Sequence, residues 1–205
     1  VTFDITVPSF TPGTVYLTRV INADGSIGDW NPAGTALTQV SDTNWSGTFD
    51  ILDGTLIEFK FARGSWETVM KGADGNEELS NLSLLVDYGE DGTQIFTYTV
   101  LNWRDPIVTA FQPADGAFDV PTDTSILITW SQAMPDDACP LLQDENGETI
   151  SGICEYEPET FTHTFTPELP LAGMQEYTAV VSGKVDVGGD AQQVPQVWSF
   201  TTQAY

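Results

Sequence analysis

The sequence predicts an all-β chain of two consecutive antiparallel β-sandwich domains. Two observations carry that prediction. Val, Thr, Tyr, Phe and Trp recur in short runs with alternating apolar residues, as at Val1-Phe3-Ile5-Val7, Ile57-Phe59-Phe61 and Ile126-Ile128-Trp130. These runs are broken by turn dipeptides: Pro12-Gly13, Asp24-Gly25, Asp53-Gly54, Arg63-Gly64, Asp91-Gly92, Asp115-Gly116, Asn146-Gly147 and Gly188-Gly189. A period of two puts alternate side chains on one sheet face, and short strands closed by such turns describe a sandwich. No stretch long enough for a helix shows the helical period.

The 205 residues include 30 acidic and 6 basic side chains, a formal net charge of -24. At roughly 100 to 150 residues per domain, this length makes one large or two small domains. Hydrophobic residues form 40% of the chain, enough to bury a core and to exclude disorder. The acidity excludes nucleic acid as a partner, because phosphate binding needs clustered Lys and Arg. It equally excludes an anionic membrane surface. No apolar run approaches the roughly 20 residues of a membrane helix. The chain begins at Val1 without a secretory leader and reads as a segment cut from a longer protein.

Along the first half, strand-like runs continue to Val100-Leu101, and Asn102-Trp103-Arg104-Asp105-Pro106 follows. Pro cannot donate to a sheet ladder and drives the residue before it toward extended geometry. The boundary is therefore set near residue 105, giving domains 1–104 and 105–205. Cations are uneven across it: Arg19, Lys60, Arg63, Lys71 and Arg104 precede it, and only Lys184 follows.

Cys139 and Cys154 are the two cysteines, and they lie at equal distances from Asn146-Gly147, a strong hairpin signal. If that dipeptide is a two-residue turn, the cysteines face each other at a hydrogen-bonded position. Their Cα atoms would then stand about 5.5 Å apart, within disulfide range. Two separate buried thiols are the other reading. A bridge implies an oxidising, extracellular setting. Two cysteines and the single His163 cannot complete a structural zinc site, so no metal and no cofactor is expected.

Nothing in the chain reads as catalytic. The adjacent pairs Glu77-Glu78, Glu90-Asp91 and Asp136-Asp137 fit a solvated surface. A glycosidase pair needs two carboxyls across a cleft. His163 alternates with Phe161 and Phe165, which reads as a packed histidine rather than a base. No nucleophile elbow, phosphate loop or zinc-protease motif occurs. Asp24-Gly25-Ser26 has oxygen ligands that could hold calcium.

The tryptophans carry the candidate site. Trp45, Trp103, Trp130 and Trp198 sit in strand-like runs or at the boundary and read as core. Trp30, in Ile27-Gly28-Asp29-Trp30-Asn31-Pro32, and Trp66, just after Arg63-Gly64-Ser65, fall in loops. A loop tryptophan is either a core plug or an exposed platform. A three-residue Ala62-Arg63-Gly64 hairpin loop pairs Phe61 with Ser65 and sets Lys60 opposite Trp66 on the outer face. A two-residue Arg63-Gly64 loop would instead bury Trp66. An outward indole beside a charged donor suits a sugar, whose C–H face stacks on the ring. Lys60 and Glu67 then supply a donor and an acceptor.

Val15-Tyr16-Leu17, Gly28-Asp29-Trp30-Asn31-Pro32, Ala36-Leu37-Thr38, Trp45, Gly54 to Glu67 and Trp103-Arg104 occur in that order. Together they resemble a starch-binding domain of carbohydrate-binding module family 20 over residues 1 to 104. The resemblance implies non-catalytic binding of α-1,4-glucan polysaccharide or maltooligosaccharide beside an amylolytic enzyme. It assigns the sugar site to Trp30, Trp66, Lys60 and Asn81, with Glu67 adjacent. The segment Val69 to Leu79 departs from the family's shorter pattern. A second, tyrosine-based site of that family has Phe10 near one position and Asp42-Thr43 at the other.

The second half carries Pro113-Ala114-Asp115-Gly116-Ala117, Val120-Pro121, Ile126 to Met134, Phe165-Thr166-Pro167, Leu171-Ala172-Gly173, Tyr177 to Val181 and Trp198 to Thr202. It resembles a bacterial Ig-like domain over residues 106 to 203, implying a spacer sandwich of about seven strands in a secreted or surface protein. The functional expectation is an accessory starch-binding segment joined to other domains of a larger chain. The alternative is a structural or protein-interaction tandem without sugar binding.

Overall fold

A computed structural model describes residues 1–204. The chain forms two compact units, Val1–Arg104 and a second from Asp105 onward. Both are all-β, and among the described residues the one helical segment is a 3-10 turn at Trp66–Thr68.

The first unit contains β1 (Thr2–Thr6), β2 (Tyr16–Ile21), β3 (Ile27–Ala36), β4 (Thr38–Gln39), β5 (Asn44–Thr48) and β6 (Leu56–Phe59). β7 (Phe61–Ala62), β8 (Met70–Lys71), β9 (Leu82–Leu85), β10 (Ile95–Thr99) and β11 (Asn102–Trp103) complete it. One sheet runs β10-β1-β5-β4, a second runs β3-β2-β7, and β6-β9 and β8-β11 form two-stranded ribbons. β1 pairs in parallel with β10 and antiparallel with β5. The alternation at Val1, Phe3, Ile5 and Val7 faces inward, and all four are buried. Phe3 meets Phe59 edge-on at 5.5 Å, and Phe59 meets Phe61 likewise at 5.6 Å. Trp45 and Trp103 are buried with them.

Lys60 lies where β6, paired with β9, gives way to β7, paired with β2. Thr18 bridges this break: its hydroxyl accepts from Lys60 N at 2.8 Å, and its N–H donates to Lys60 O at 3.0 Å.

The second unit contains β12 (Val108–Gln112), β13 (Ala117–Val120), β14 (Ile126–Trp130), β15 (Leu141–Asp144), β16 (Gly152–Glu157), β17 (Thr162–Pro167), β18 (Glu176–Val181) and β19 (Gln196–Thr202). They form two four-stranded sheets, β12-β14-β17-β16 and β13-β19-β18-β15. Ile126, Ile128 and Trp130 of β14 pack with Tyr177, Ala179 and Val181 of β18 and Trp198 and Phe200 of β19 in one core.

A disulfide joins Cys139 to Cys154, with Cα atoms 6.3 Å apart. The hairpin expected to bring them together has a different register. Gln143 stands opposite Thr149, and Asp144 N donates to Glu148 O at 3.0 Å. The loop is Glu145-Asn146-Gly147, with Gly147 at φ +81°. Beyond it the two strands part: β15 pairs β18 and β16 pairs β17, in opposite sheets. The bridge therefore ties the segment entering β15 to the other sheet. It is not a rung across one hairpin.

His163 is fully buried in β17, its Nε2 3.0 Å from the Pro135 carbonyl and its ring stacked on Tyr156 at 4.4 Å. The carboxylate of Asp24 accepts from both the N–H and the hydroxyl of Ser26, so it closes its own turn.

Candidate carbohydrate-binding groove

Trp30 stands in β3, not in a loop as its glycine and proline neighbours predict. β3 pairs with β2 through two register shifts, and Trp30 lies opposite Arg19. Residues 31–34 bulge out between that pair and Thr35–Leu17. Gly34 makes the bulge possible: a Cβ there would stand 2.5 Å from the Arg19 carbonyl oxygen and 2.9 Å from its nitrogen. Thr35 closes the bulge, donating to Arg19 O at 2.7 Å and accepting from Ile21 N at 3.0 Å. The Arg19 guanidinium then lies 4.9 Å over the Trp30 ring, a cation–π contact that supports the indole.

Trp66 is also placed differently from the register expected. Ala62 pairs with Val69, and Arg63 N donates to Thr68 O at 3.3 Å, so the loop holds six residues, Arg63 to Thr68. The three-residue hairpin and the Lys60–Trp66 cross-strand pair do not form. Gly64 takes φ +101°, the positive value that glycine adopts without a Cβ clash. The buried Thr68 hydroxyl pins the loop: it donates to Ser65 O at 2.9 Å and accepts from Arg63 N at 3.2 Å. Trp66 projects from the resulting 3-10 turn and is 40% exposed, against 39% for Trp30. Their ring centroids are 6.3 Å apart and tilted by 50°.

These indoles open onto a groove of about 330 Å³ lined by Trp30, Glu58, Lys60, Trp66, Val69, Glu78, Asn81 and Arg104. Four of the five residues singled out in the sequence meet here: Trp30, Lys60, Trp66 and Asn81. Glu67 does not line the groove. It is exposed on the 3-10 turn, and its carboxyl is held below the usual range by its own backbone N–H, by Ser65 and by nearby Arg104.

Glu58, Glu78 and Arg104 were not recognised from sequence. The signal available for Glu58 was its place beside Phe59 in β6, which turns it outward. No local signal marked Glu78. It arrives with the Val69–Leu79 segment, where Gly72 N donates to Glu77 O at 3.0 Å and folds the chain back. Glu78 Oε1 is 2.5 Å from the Nζ of buried Lys71, and its Oε2 is 4.0 Å from that of Lys60. Lys60 Nζ also donates to the Leu79 carbonyl at 2.6 Å. The Lys71 hydrogen bond, opposed by desolvation, is the main reason the Glu78 carboxyl sits below its ordinary pKa.

The arrangement combines two part-exposed ring faces, one ammonium, one guanidinium, one carboxamide and two carboxylates in an open cleft. Rings of that kind contact the C–H faces of flat polyhydroxylated molecules, and the polar groups take hydroxyl hydrogen bonds.

Comparison with known proteins defines a class for the second unit. Residues 103–202 match Big_5, the bacterial Ig-like domain, in keeping with the two-sheet sandwich. About half of the chain is similar to parts of amylolytic enzymes. It is 36% identical over 117 residues to the amylopullulanase of Thermoanaerobacter thermohydrosulfuricus, a match covering 56% of this chain and 8% of that enzyme. The amylopullulanase of Thermoanaerobacterium thermosulfurigenes is 34% identical over 115 residues, covering 56% of this chain and 6% of the enzyme. The α-amylase of Niallia circulans is 38% identical over 109 residues, covering 51% and 8%. The chain thus matches less than a tenth of each relative's length. Among solved structures, L,D-transpeptidase 3 from Mycobacterium tuberculosis aligns over 47% of this chain and 37% of its own, at 13% identity and a TM-score of 0.31, too low to carry an argument.

Proposed function

We propose that the first unit, residues 1–104, binds starch or a related α-1,4-glucan without catalysis, and that the second serves as its Ig-like spacer. Both belong to an accessory segment of a larger, extracellular amylolytic enzyme. The observation that carries this reading is one open groove holding two part-exposed indoles 6.3 Å apart with Lys60 and Asn81. Glucose units stack on Trp30 and Trp66, and Lys60 and Asn81 bond their hydroxyls. The resemblance of residues 1 to 104 to starch-binding domains supports it, as does the match to small parts of amylopullulanases. The disulfide fits an oxidising compartment. Binding is weak and reversible for soluble maltooligosaccharides, since an open platform buries little area and must order a flexible chain.

The test is co-sedimentation with insoluble starch beside a cellulose control, followed by calorimetry with maltoheptaose. Retention on starch with measurable heat supports the reading. No retention and no heat leave the structural or protein-interaction tandem in its place.

A further inference from the structure

We propose that this groove selects uncharged glucan over anionic polysaccharide because its cations are matched by carboxylates, with Glu78 setting the match. The inference rests on the sugar-binding reading above and adds the charge class of the ligand. The groove lining carries two cations, Lys60 and Arg104, and two carboxylates, Glu58 and Glu78; Lys71 lies behind it, and the Arg19 guanidinium is engaged by the Trp30 ring. The Lys60 ammonium is held by the Leu79 carbonyl at 2.6 Å, with Glu78 4.0 Å away. Lys71, whose side chain is 3% exposed, lies behind Glu78 at 2.5 Å. Arg104 lines the groove together with Glu78. Glu58 lines the same cleft.

A neutral pyranose finds carboxylates to accept from its hydroxyls and an oriented ammonium to donate to them. A uronate, phosphate or carboxymethyl group meets as many carboxylates as cations in the lining, and must bring its charge beside Glu58 and Glu78. At roughly 4 Å in a water-like dielectric, one such repulsion lowers affinity about 5-fold. The chain's overall charge of -24 does not account for selection by itself. At about 0.15 M salt, exposed charges farther away than about 8 Å are largely screened, which leaves the groove's own residues to decide. Glu78 reaches this position only because the Gly72–Leu79 stretch folds back over the groove.

The experiment measures affinity of the whole chain for hydroxyethyl-amylose and carboxymethyl-amylose, matched in degree of substitution, at about 0.15 M salt. The neutral hydroxyethyl group controls for bulk. The expected result is retention by hydroxyethyl-amylose and binding to the carboxymethyl polymer at least about 5-fold weaker. Glu78→Gln should raise the ratio of anionic to neutral affinity about 5-fold and lower neutral affinity, because the groove loses a carboxylate that accepts from sugar hydroxyls. A purely structural role for Glu78 would lower both affinities together. Glu58→Gln, at an exposed position on β6, is the second variant if loss of the Lys71 partner unfolds the first. It should raise the same ratio. Equal wild-type affinity for the two polymers, or an unchanged ratio in the folded variants, overturns the inference while leaving sugar binding intact. Binding to neither polymer overturns both.

Discussion

Trp66 and Trp30 are surface residues held by their neighbours, and truncating them tests that. Trp66 rests on a turn pinned by Thr68, and Trp30 is supported by the Arg19 guanidinium, so neither fills the core. Trp66→Ala should leave the melting temperature close to wild type. Starch affinity should fall by about 10- to 100-fold, by analogy with the roughly 1–3 kcal/mol that a base gains on an aromatic platform. A fall of many degrees in melting temperature, or full affinity in the folded variant, removes Trp66 from the sugar site.

His163 allows a prediction at the same scale. Burial pushes its imidazole below the ordinary value, against the Pro135 carbonyl and the charges of Asp136 and Asp137, with Lys184 reinforcing the shift. Its Nδ1 has no hydrogen-bond partner among the described residues. The unfolded chain takes up a proton near pH 6.5, and the folded one only at lower pH. The neutral ring's contribution to stability is therefore complete above about pH 6.5 and is lost as pH falls through the folded pKa. His163→Gln should flatten the fall in stability between about pH 7 and pH 5 relative to wild type. Denaturant titrations at several pH values read this directly, and parallel curves for the two proteins would contradict it.

Among the elements, the bulge of β3 has the most specific requirement. Gly34 sits against the Arg19 backbone, which cannot yield as a side chain could. Gly34→Ala must part β2 from β3, and overpacking of this kind costs about 1–3 kcal/mol. Because the same pairing sets Arg19 beneath Trp30, starch affinity should fall with stability. Thermal melts and starch sedimentation on one preparation check both, and wild-type values in both would show that the bulge tolerates a methyl group. The Arg63–Thr68 loop gives a different lesson. Sequence turn chemistry located the positive-φ glycine correctly at Gly64. The loop length came out wrong because the hydroxyl of Thr68 competes for the backbone N–H of Arg63, a local bond that spacing does not reveal.

For the molecule as a whole, the disulfide and the groove belong to different units, and that separation is testable. Cys139 and Cys154 lie in the second unit, whereas all groove residues lie between Trp30 and Arg104. Removing the bridge should cost about 3 kcal/mol in the chain-entropy model for a loop of this size. Reduction should lower one melting transition while starch sedimentation persists. Mass spectrometry of air-oxidised protein should find no free thiol. Loss of starch binding on mild reduction would show that the units do not behave independently.

The sequence by itself determined the all-β class and the inward-facing sets Phe3-Ile5, Phe59-Phe61 and Ile126-Ile128-Trp130; it offered the cysteine pairing on a hairpin register that the fold does not adopt. These follow from alternation, turn glycines and composition, which are local. It also separated Trp30 and Trp66 from the four buried tryptophans through the glycine-, proline- and serine-flanked stretches around them, although Trp30 stands in a strand. Tertiary structure alone decided how the pieces meet. β1 finds its parallel partner β10 at the far end of the unit. The cysteine bridge spans two sheets because each hairpin strand takes a different partner. Glu78 comes to Lys60 because the segment after Lys71 folds back. Such contacts are set by which surfaces bury most apolar area together and which backbone groups remain to be bonded. Those conditions act across the whole unit, and no window of the sequence contains them.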